Sequence, residues 1–333
     1  HPAVDCREGE PAGELRRDIR FGGHDLGREE FLKRVERFAR ESRDTIVGQV
    51  KNMGASVDWS REAYTLDDAR SIAVRTAFTR MYDDGLIYRG RRLVNWDPKL
   101  QTTVSDDEIE WKEEKTPFYY LIYGPFIIGT ARPETKFGDK YVVMHPNDKR
   151  YAHYTHGQTI NLEWINGPVT ATIIKDKAVD PAFGTGVMTI TPWHDAADYE
   201  IAKRHNLEGE QVIDLRAKLL PIAGEFTGAN IRNARPLIIE KLRQKGLLKR
   251  IDEQYTHRIA INSRGEGTIE PQMMLQWFID VHKKILLRQS HIRGIKKGQL
   301  VSLKEIMRRA VKTKQIEIIP RRFDKIYYHN WKR

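Results

Sequence analysis

The chain has 333 residues, 40% of them hydrophobic, and its single cysteine, Cys6, excludes an intrachain disulfide and a cysteine-based zinc site. No apolar run approaches the roughly 20 residues needed to cross a bilayer, so we expect no membrane partner and predict a cytoplasmic protein. Fifty-seven Lys and Arg against 46 Asp and Glu leave a net charge of +11, which favours a polyanionic partner such as RNA. A solvated basic surface has the same charge, and charge alone does not separate the two interpretations.

The first part of the chain is predicted to be helical. Residues 1–24 are Gly-rich, charged and weakly patterned, which indicates a truncated lead-in. Residues 25–115 are predicted as a helical connecting segment. Apolar residues recur near the 3.6-residue period from Asp25, a candidate cap, to Gly54, which predicts a long helix or a helix pair interrupted near Ser42.

A second helix is predicted where Thr65 and Asp68 have capping-box spacing, and it ends at Gly85. Its apolar residues lie on one stripe, which we expect to be buried in the core: Val74, Ala77, Phe78 and Met81.

Residues 116–256 have a different pattern, in which short β-rich runs alternate with Gly, Pro and Asn turns. The predicted strands are Phe118–Tyr123, Phe126–Thr130, Tyr141–Met144, Thr170–Ile174 and Val187–Thr191. Helices are predicted for Asp195–His205 and from about Arg235 to Gly246. This segment therefore has the pattern of a compact β-barrel decorated by helices, within a mixed α/β fold class.

Residues 257–333 form the last predicted segment. A polar turn, Asn262–Gly267, leads into Ile269–Leu287. A helix from about Ser302 to Val311 and a short strand, Ile316–Ile319, follow. Basic residues gather in this segment beyond Lys283, at Arg308, Arg309, Arg321, Arg322 and Lys332.

Polar residues first cluster in the run Thr130-Ala131-Arg132-Pro133-Glu134-Thr135, at the end of a predicted strand. Pro133 ends the hydrogen-bond ladder, so hydroxyls, a cation and a carboxylate meet at a strand edge. A surface turn with an Arg-Glu ion pair is the alternative for such a hexapeptide.

A second cluster begins with Gly184-Thr185-Gly186, continues through a predicted strand, and ends in the run Pro192-Trp193-His194-Asp195-Ala196-Ala197-Asp198-Tyr199-Glu200. Asp195 and Asp198 are three residues apart at a helix N-terminus, so they project to nearly the same side. An N-cap followed by a first-turn Asp is the simpler interpretation.

Together, in this order and about 50 residues apart, the two clusters resemble the editing domain of valyl-tRNA synthetases. Further stretches agree in family order, from Gly54-Ala55-Ser56-Val57-Asp58-Trp59 to Gln276-Trp277-Phe278. Leucyl enzymes are similar but usually carry Asp at the position of Glu134, and isoleucyl enzymes usually have a Thr- and Trp-rich version without Arg-Pro-Glu-Thr. The valyl family is therefore favoured, and the editing domain of a leucyl-like or isoleucyl-like relative is the alternative.

The resemblance implies an internal fragment. The β-barrel editing domain, residues 116–256, would be flanked by helical connecting segments and by remnants of a class I Rossmann-type catalytic domain, toward which residues 257–333 return. The chain has neither a His-x-Gly-His nor a Lys-Met-Ser-Lys-Ser motif, so we expect no valyl-adenylate synthesis by this piece. The intact enzyme would use ATP, Mg²⁺, valine and tRNA(Val), whereas the fragment needs no cofactor, no metal and no protein partner.

The same resemblance implies hydrolysis of mischarged threonyl-tRNA(Val), because a hydrophobic synthetic pocket rejects threonine only about a hundredfold. Asp195 would bind the substrate ammonium, Asp198 and Thr135 the threonine side chain, and Thr130 and Arg132 the terminal adenosine or the ester. A water would attack the ester carbonyl, positioned by these groups and by the terminal ribose rather than by a strong protein base. The full predicted set has Asp195, Arg132 and Thr130 as catalytic residues, and in the editing pocket Thr135, Asp198, Glu134, Thr189 and His194.

Several residues leave alternatives open. His194 is a candidate general base, although an orienting structural role is favoured beside a capping Asp. Trp277 resembles an aromatic residue of the synthetic amino-acid pocket, with a core Trp as the alternative. Thr189 stands where many valyl enzymes carry a Lys, and some relatives have a Cys-x-x-Cys knuckle where this chain has Asn262 to Gly265. A catalytically inactive tRNA-binding module is therefore the rival to an editing enzyme.

Overall fold

The computed structural model describes residues 26–330, apart from the side chain of Asn330. The chain divides into two compact units, His1–Ala77 and Phe78–Arg333. The predicted lead-in, its Cys6, the candidate cap Asp25 and the C-terminal Lys332 lie outside the described residues. None of the helices between residues 26 and 330 is long and apolar enough to cross a membrane.

The helices of the described residues are α1 (Arg28–Asn52), α2 (Asp68–Asp83), α3 (Ala196–His205), α4 (Ile231–Gln244), α5 (Leu303–Lys312) and α6 (Asp324–Asn330). The strands are β1 (Ile87–Asp97), β2 (Thr102–Thr103), β3 (Ile109–Lys115), β4 (Phe118–Tyr123), β5 (Phe126–Thr130), β6 (Tyr141–Met144), β7 (Thr159–Trp164), β8 (Gly167–Lys175), β9 (Val187–Ile190), β10 (Leu248–Asp252), β11 (Thr256–Asn262), β12 (Glu270–Ile279), β13 (Lys284–Leu286) and β14 (Leu300–Ser302).

Helix α1 is continuous, so the predicted interruption near Ser42 is absent. It begins after Gly27, which offers no side-chain cap. Helix α2 is capped by Asp67, whose carboxylate accepts a hydrogen bond from the Arg70 amide, and not by the predicted pair Thr65 and Asp68.

The predicted burial of the apolar stripe on α2 is wrong. The helix has no buried residue, and Val74 and Phe78 are exposed. The apolar spacing indicates an amphipathic helix correctly, but it does not specify an element of this chain that covers the stripe. The helical pattern also ends at Asp83, because residues 87–115 form β1 to β3 in the segment that was predicted to be helical.

The second unit is organised around two neighbouring sheets. The order β10-β4-β5 forms one sheet, and β7-β8-β6-β9 forms the other, in which β6 is parallel to β8 and antiparallel to β9. One core packs Leu121, Phe126 and Val142 with residues of α4, while Val143 on the opposite face of β6 packs with Ile201 of α3. Alternation along β6 thus buries both faces of the sheet.

The chain has a mixed α/β fold, as predicted. The hydrogen-bonded strands of residues 26–330 form five separate sheets and no closed barrel. Gly167–Lys175 extends the predicted fourth strand, and Val187–Ile190 ends one residue before the predicted fifth. The barrel prediction was not confirmed because strand patterning reports burial of each strand and not the pairing that closes a sheet.

The remaining strands form ribbons. Strand β1 pairs with β12, and β3 pairs with β11, so the turn Asn262–Gly267 connects two strands of different ribbons. Ser302 and Glu305 form a capping box at the start of α5, where the helix was predicted. The predicted strand Ile316–Ile319 is wrong, since this short apolar run forms no strand and leaves Ile319 exposed.

Candidate functional site

The first polar cluster folds where β5 ends. Thr130 is the last residue of β5, and the 3-10 helix Pro133–Gly138 follows within three residues. The Thr130 hydroxyl accepts a hydrogen bond from the Arg132 amide at 2.9 Å, and the Thr135 hydroxyl donates to the Arg132 carbonyl at 3.0 Å. Both threonines are buried, so their hydroxyls fix the backbone on either side of Arg132.

The second cluster begins with a glycine loop that its neighbours hold closely. Gly186 has φ of 74°, and an added Cβ would lie 2.9 Å from the Pro181 carbonyl oxygen, so a residue with a side chain would be strained here. The Tyr151 hydroxyl donates to the Thr185 carbonyl at 3.0 Å, and Arg150 also donates to the Pro181 carbonyl at 2.6 Å. The loop therefore enters β9 with a fixed direction.

Strand β9 delivers the chain to the N-terminus of α3. Asp195 is the N-cap, and one of its oxygens accepts from the amides of Ala197 at 2.8 Å and Asp198 at 3.1 Å. Asp195 is exposed, whereas the Asp198 carboxylate is buried and accepts from the Thr191 amide at 2.8 Å. The predicted cap is confirmed, and the two carboxylates lie at the same helix end.

The two clusters meet through Arg132. Its guanidinium donates to the His194 carbonyl at 3.1 Å, to both oxygens of Glu270 at 2.6 Å, and to Glu134 at 3.3 Å. These bonds use all three nitrogens of the guanidinium. Arg132 therefore joins the turn after β5 to the turn before α3 and to β12.

The His194 ring is buried in the same junction. Its Nε2 accepts from the amides of Val212 at 2.9 Å and Ile213 at 3.3 Å, so the proton is on Nδ1, which lies 3.4 Å from Glu270. A nitrogen lone pair already bound to two amides is not available to a water. The geometry favours the orienting role of His194 over the general-base role.

Glu134 is fully buried and anchors the turn from below. Arg235 of α4 donates to its two oxygens at 2.8 Å each, and Arg132 adds a third bond. Both oxygens are therefore occupied by protein donors, and Glu134 acts as a framework residue of the site.

A polar cluster lies beneath these turns. The Lys136 ammonium is 3.2 Å from the Thr189 hydroxyl and 3.3 Å from Asp139 Oδ1. The Thr191 hydroxyl donates to the same Asp139 oxygen at 3.0 Å. By the family resemblance, many valyl enzymes carry a lysine at the position of Thr189. In this chain the ammonium of Lys136, in the 3-10 helix, contacts Thr189 instead.

The carboxylates of this cluster repel one another. Burial and the neighbouring charge of Asp195 raise the pKa of Asp198 to about 7, and Lys136 opposes the shift. Burial also raises the pKa of Asp139, which Lys136 lowers in turn. The site holds three carboxyl groups, those of Asp139, Asp195 and Asp198, and one ammonium, that of Lys136. A second cation bound there would reduce the repulsion between the carboxylates.

This shift predicts a pH-dependent effect of Asp198→Asn on stability. Because the folded-state pKa of Asp198 exceeds its unfolded value of 3.8, its ionisation destabilises the fold as pH rises from 4 to about 7. Relative to the parent chain, the variant should gain roughly 4 kcal/mol over that range, about 1.4 kcal/mol for each pH unit. Urea unfolding at pH 4, 5.5, 7 and 8 measures the difference, and a constant difference would contradict the raised pKa.

Trp277 lies apart from this cluster on β12. It is 49% exposed and packs edge-on against Phe78 at 5.6 Å and Tyr82 at 6.1 Å, with the Arg89 guanidinium 5.2 Å from its ring centre. The core-Trp alternative is therefore wrong.

Known proteins are similar to this chain over most of its length. The family described as tRNA synthetases class I (I, L, M and V) matches residues 14–330. The chain belongs to the class I tRNA synthetases. Within that family, a valine–tRNA ligase of Pseudothermotoga lettingae is 40% identical over 314 residues, 91% of this chain and 33% of that enzyme.

Two further relatives have the same name. The valine–tRNA ligase of Protochlamydia amoebophila is 38% identical over 311 residues, 92% of this chain and 30% of the enzyme. The valine–tRNA ligase of a Nostoc species is 43% identical over 266 residues, which are 77% of this chain and 26% of that enzyme. The chain thus spans about a third of the length of these class I synthetases, and the resemblance to the valyl enzymes is confirmed.

Four residues that hold the candidate site together were not predicted from the synthetase motifs. Glu270, Arg235 and Lys136 each bind a predicted residue, and Asp139 binds Lys136. Only Lys136 and Asp139 are near the first motif in sequence. Charged residues in apolar surroundings, such as Glu270 next to Ile269, are the signal that the sequence offered.

Proposed function

We propose that this chain carries the editing site of a valine–tRNA ligase and hydrolyses threonine from mischarged tRNA(Val). The observation that carries the proposal is the pair of carboxylates at one helix end, with Asp195 exposed and Asp198 buried behind it. Burial, and then the neighbouring charge of Asp195, raise the pKa of Asp198 to about 7. A carboxylate pair that is short of a cation fits the α-ammonium of an aminoacyl ester. Buried threonine hydroxyls beside the pair fit the recognition of a polar side chain.

The residue roles are those that the family resemblance implies, and the exposure of Asp195 agrees with its own role. The free oxygen of Asp195 binds the ammonium, and Asp198 and Thr135 face the amino-acid side chain. Thr130 and Arg132 hold the turn against which the terminal adenosine and the ester lie. We assign the two β-sheets of residues 116–256 to the editing domain on this basis.

The reaction is an ester hydrolysis. Water adds to the ester carbonyl carbon, and the tetrahedral intermediate collapses as the bond to the ribose oxygen breaks. That oxygen takes a proton, which leaves free threonine and the tRNA 3′ terminus. Since His194 is bound to two amides, the water is oriented by the site carboxylates and by the terminal ribose.

The longer enzyme would attach valine to tRNA(Val) with ATP and Mg²⁺ in the cytoplasm. Among residues 26–330, no group of three or more His, Cys, Asp or Glu side chains is arranged to hold a metal ion. The two ATP-binding motifs of the class are also absent from this chain, so the ATP-dependent step is assigned to the rest of that enzyme.

Replacement of Asp195 by alanine tests the proposal. The purified chain should hydrolyse threonyl-tRNA(Val) above the spontaneous rate, and Asp195→Ala should reduce the rate constant by about a hundredfold, because the ammonium loses its charged partner. Ser302→Ala is the matched control, since it also removes a helix cap but lies at the start of α5.

Unchanged hydrolysis in Asp195→Ala would reject the assigned site. No hydrolysis by the parent chain, together with tRNA binding, would support the RNA-binding module instead.

A further inference from the structure

Lys136 is a buried ammonium that the proposed reaction does not yet use. Its side chain is 8% exposed, and it lies in the 3-10 helix between the first motif and β6. The preceding residue, Thr135, belongs to the editing pocket, and Nζ contacts Thr189 on β9. Lys136 therefore lies between the two motifs that form the site.

The hydrogen bonds of this ammonium are incomplete. It has three N–H groups, and within residues 26–330 its hydrogen-bond acceptors are Asp139 Oδ1 and the Thr189 hydroxyl. Its ion-pair partner is incomplete as well, because Asp139 Oδ2 is buried with no hydrogen-bond partner among those residues. The Thr189 hydroxyl lies beside both groups of the ion pair. The third N–H of the ammonium and the Oδ2 atom of Asp139 are the two positions left without a partner among the described residues.

A hydroxyl group completes such a pair, because its oxygen accepts from the ammonium and its hydrogen donates to the carboxylate. We propose that the Lys136–Asp139 ion pair recognises the side-chain hydroxyl of the amino acid to be hydrolysed, and so distinguishes threonine from valine. A valine methyl offers neither bond, so the third N–H of Lys136 and Asp139 Oδ2 stay without a partner. This inference rests on the proposed editing function and adds the residues that determine its specificity.

The surrounding contacts fix the position of the ion pair. The Thr191 hydroxyl donates to Asp139 Oδ1 and lies 3.4 Å from the Thr135 carbonyl, while the Thr191 amide binds Asp198. The ion pair is thereby connected to both acidic and hydroxyl-bearing residues of the pocket. The Trp164 indole also donates to the Lys136 carbonyl at 2.7 Å, which fixes its backbone.

Binding of two stable substrate analogues tests this assignment. The probes are 3′-threonylamino-3′-deoxyadenosine and its valyl counterpart, in which an amide replaces the ester. Calorimetry with the parent chain should show a preference of at least about tenfold for the threonyl analogue, because its hydroxyl makes two hydrogen bonds to charged groups. Lys136→Met should remove the preference, measured as the ratio of the dissociation constants of the two analogues. Lys140→Met, in an exposed ion pair with Glu210, is the matched control.

A second variant separates recognition from folding. Lys136→Met leaves Asp139 unpaired and risks unfolding, whereas Lys136→Met with Thr189→Lys returns an ammonium from β9, because Nζ and the Thr189 hydroxyl are only 3.2 Å apart. We expect this double variant to regain the threonyl preference.

The outcomes are distinct. A threonyl preference that persists in Lys136→Met overturns the inference. If Lys136→Met does not fold, a folded double variant that shows no threonyl preference overturns it as well. Equal binding of both analogues by the parent chain also overturns the inference, but it leaves the proposed editing site in place. Binding of neither analogue rejects the proposed function itself.

Discussion

Glu134→Ala is expected to destabilise the chain by roughly 3–5 kcal/mol, the effect of removing one partner from a buried ion pair. Glu134 is fully buried, and its carboxylate binds Arg235 through two bonds of 2.8 Å and Arg132 through a third. Without it, two largely desolvated guanidinium groups repel each other beneath the site. The melting temperature of the second unit should fall by about 10 °C.

Glu240→Ala is the matched control for that experiment, because it removes the same side chain from an exposed pair with Arg243 on α4. Exposed pairs contribute at most about 1 kcal/mol. Thermal unfolding of the two variants compares the loss of a buried glutamate with the loss of an exposed one. Equal losses would show that Glu134 is not the anchor of the turn.

Arg132→Lys is expected to lower the hydrolysis of threonyl-tRNA(Val) by about a hundredfold while tRNA binding persists. A lysine keeps the charge, but it does not reach Glu270, Glu134 and the His194 carbonyl at the same time, as the guanidinium does. The two motifs would then shift relative to each other, and a displacement of about 1 Å is sufficient for a loss of this size.

Arg204→Lys provides the comparison for Arg132→Lys. Arg204 also forms a two-bond pair, with Asp176, at the far end of α3. Single-turnover deacylation should be normal in this variant. If Arg132→Lys also hydrolyses normally, the geometry of the fork is unimportant and the assigned role of Arg132 fails.

Local features of the fold were predictable because they depend on neighbouring residues. Strands β4, β5 and β6 have the predicted bounds, since their apolar runs end at turns such as Gly124 and Pro133. Asp195 was recognised as a cap from its place before a helical pattern. Helix α4 begins earlier than predicted, at Ile231, because Asn230 caps it and the helix includes Pro236.

Long-range features were not predictable from one sequence. Glu270 is 138 residues from Arg132, and Arg235 is 101 residues from Glu134, so no local pattern indicates either pair. The two motifs could be recognised as parts of one site, but the residues that hold them together could not. The wrong prediction of burial for the apolar stripe of α2 has the same cause. Periodicity identifies the apolar face of a helix, but not the element that packs against it.

Selectivity tests the central claim most directly. The rate constants for hydrolysis of threonyl-tRNA(Val) and valyl-tRNA(Val) by the purified chain should be measured under single-turnover conditions, each corrected for spontaneous hydrolysis. The account predicts that the threonyl ester is cleaved at least about a hundredfold faster, since the proposed site would hydrogen-bond a hydroxyl that valine lacks. Equal rate constants for the two esters, or a threonyl rate no higher than the spontaneous one, would contradict it.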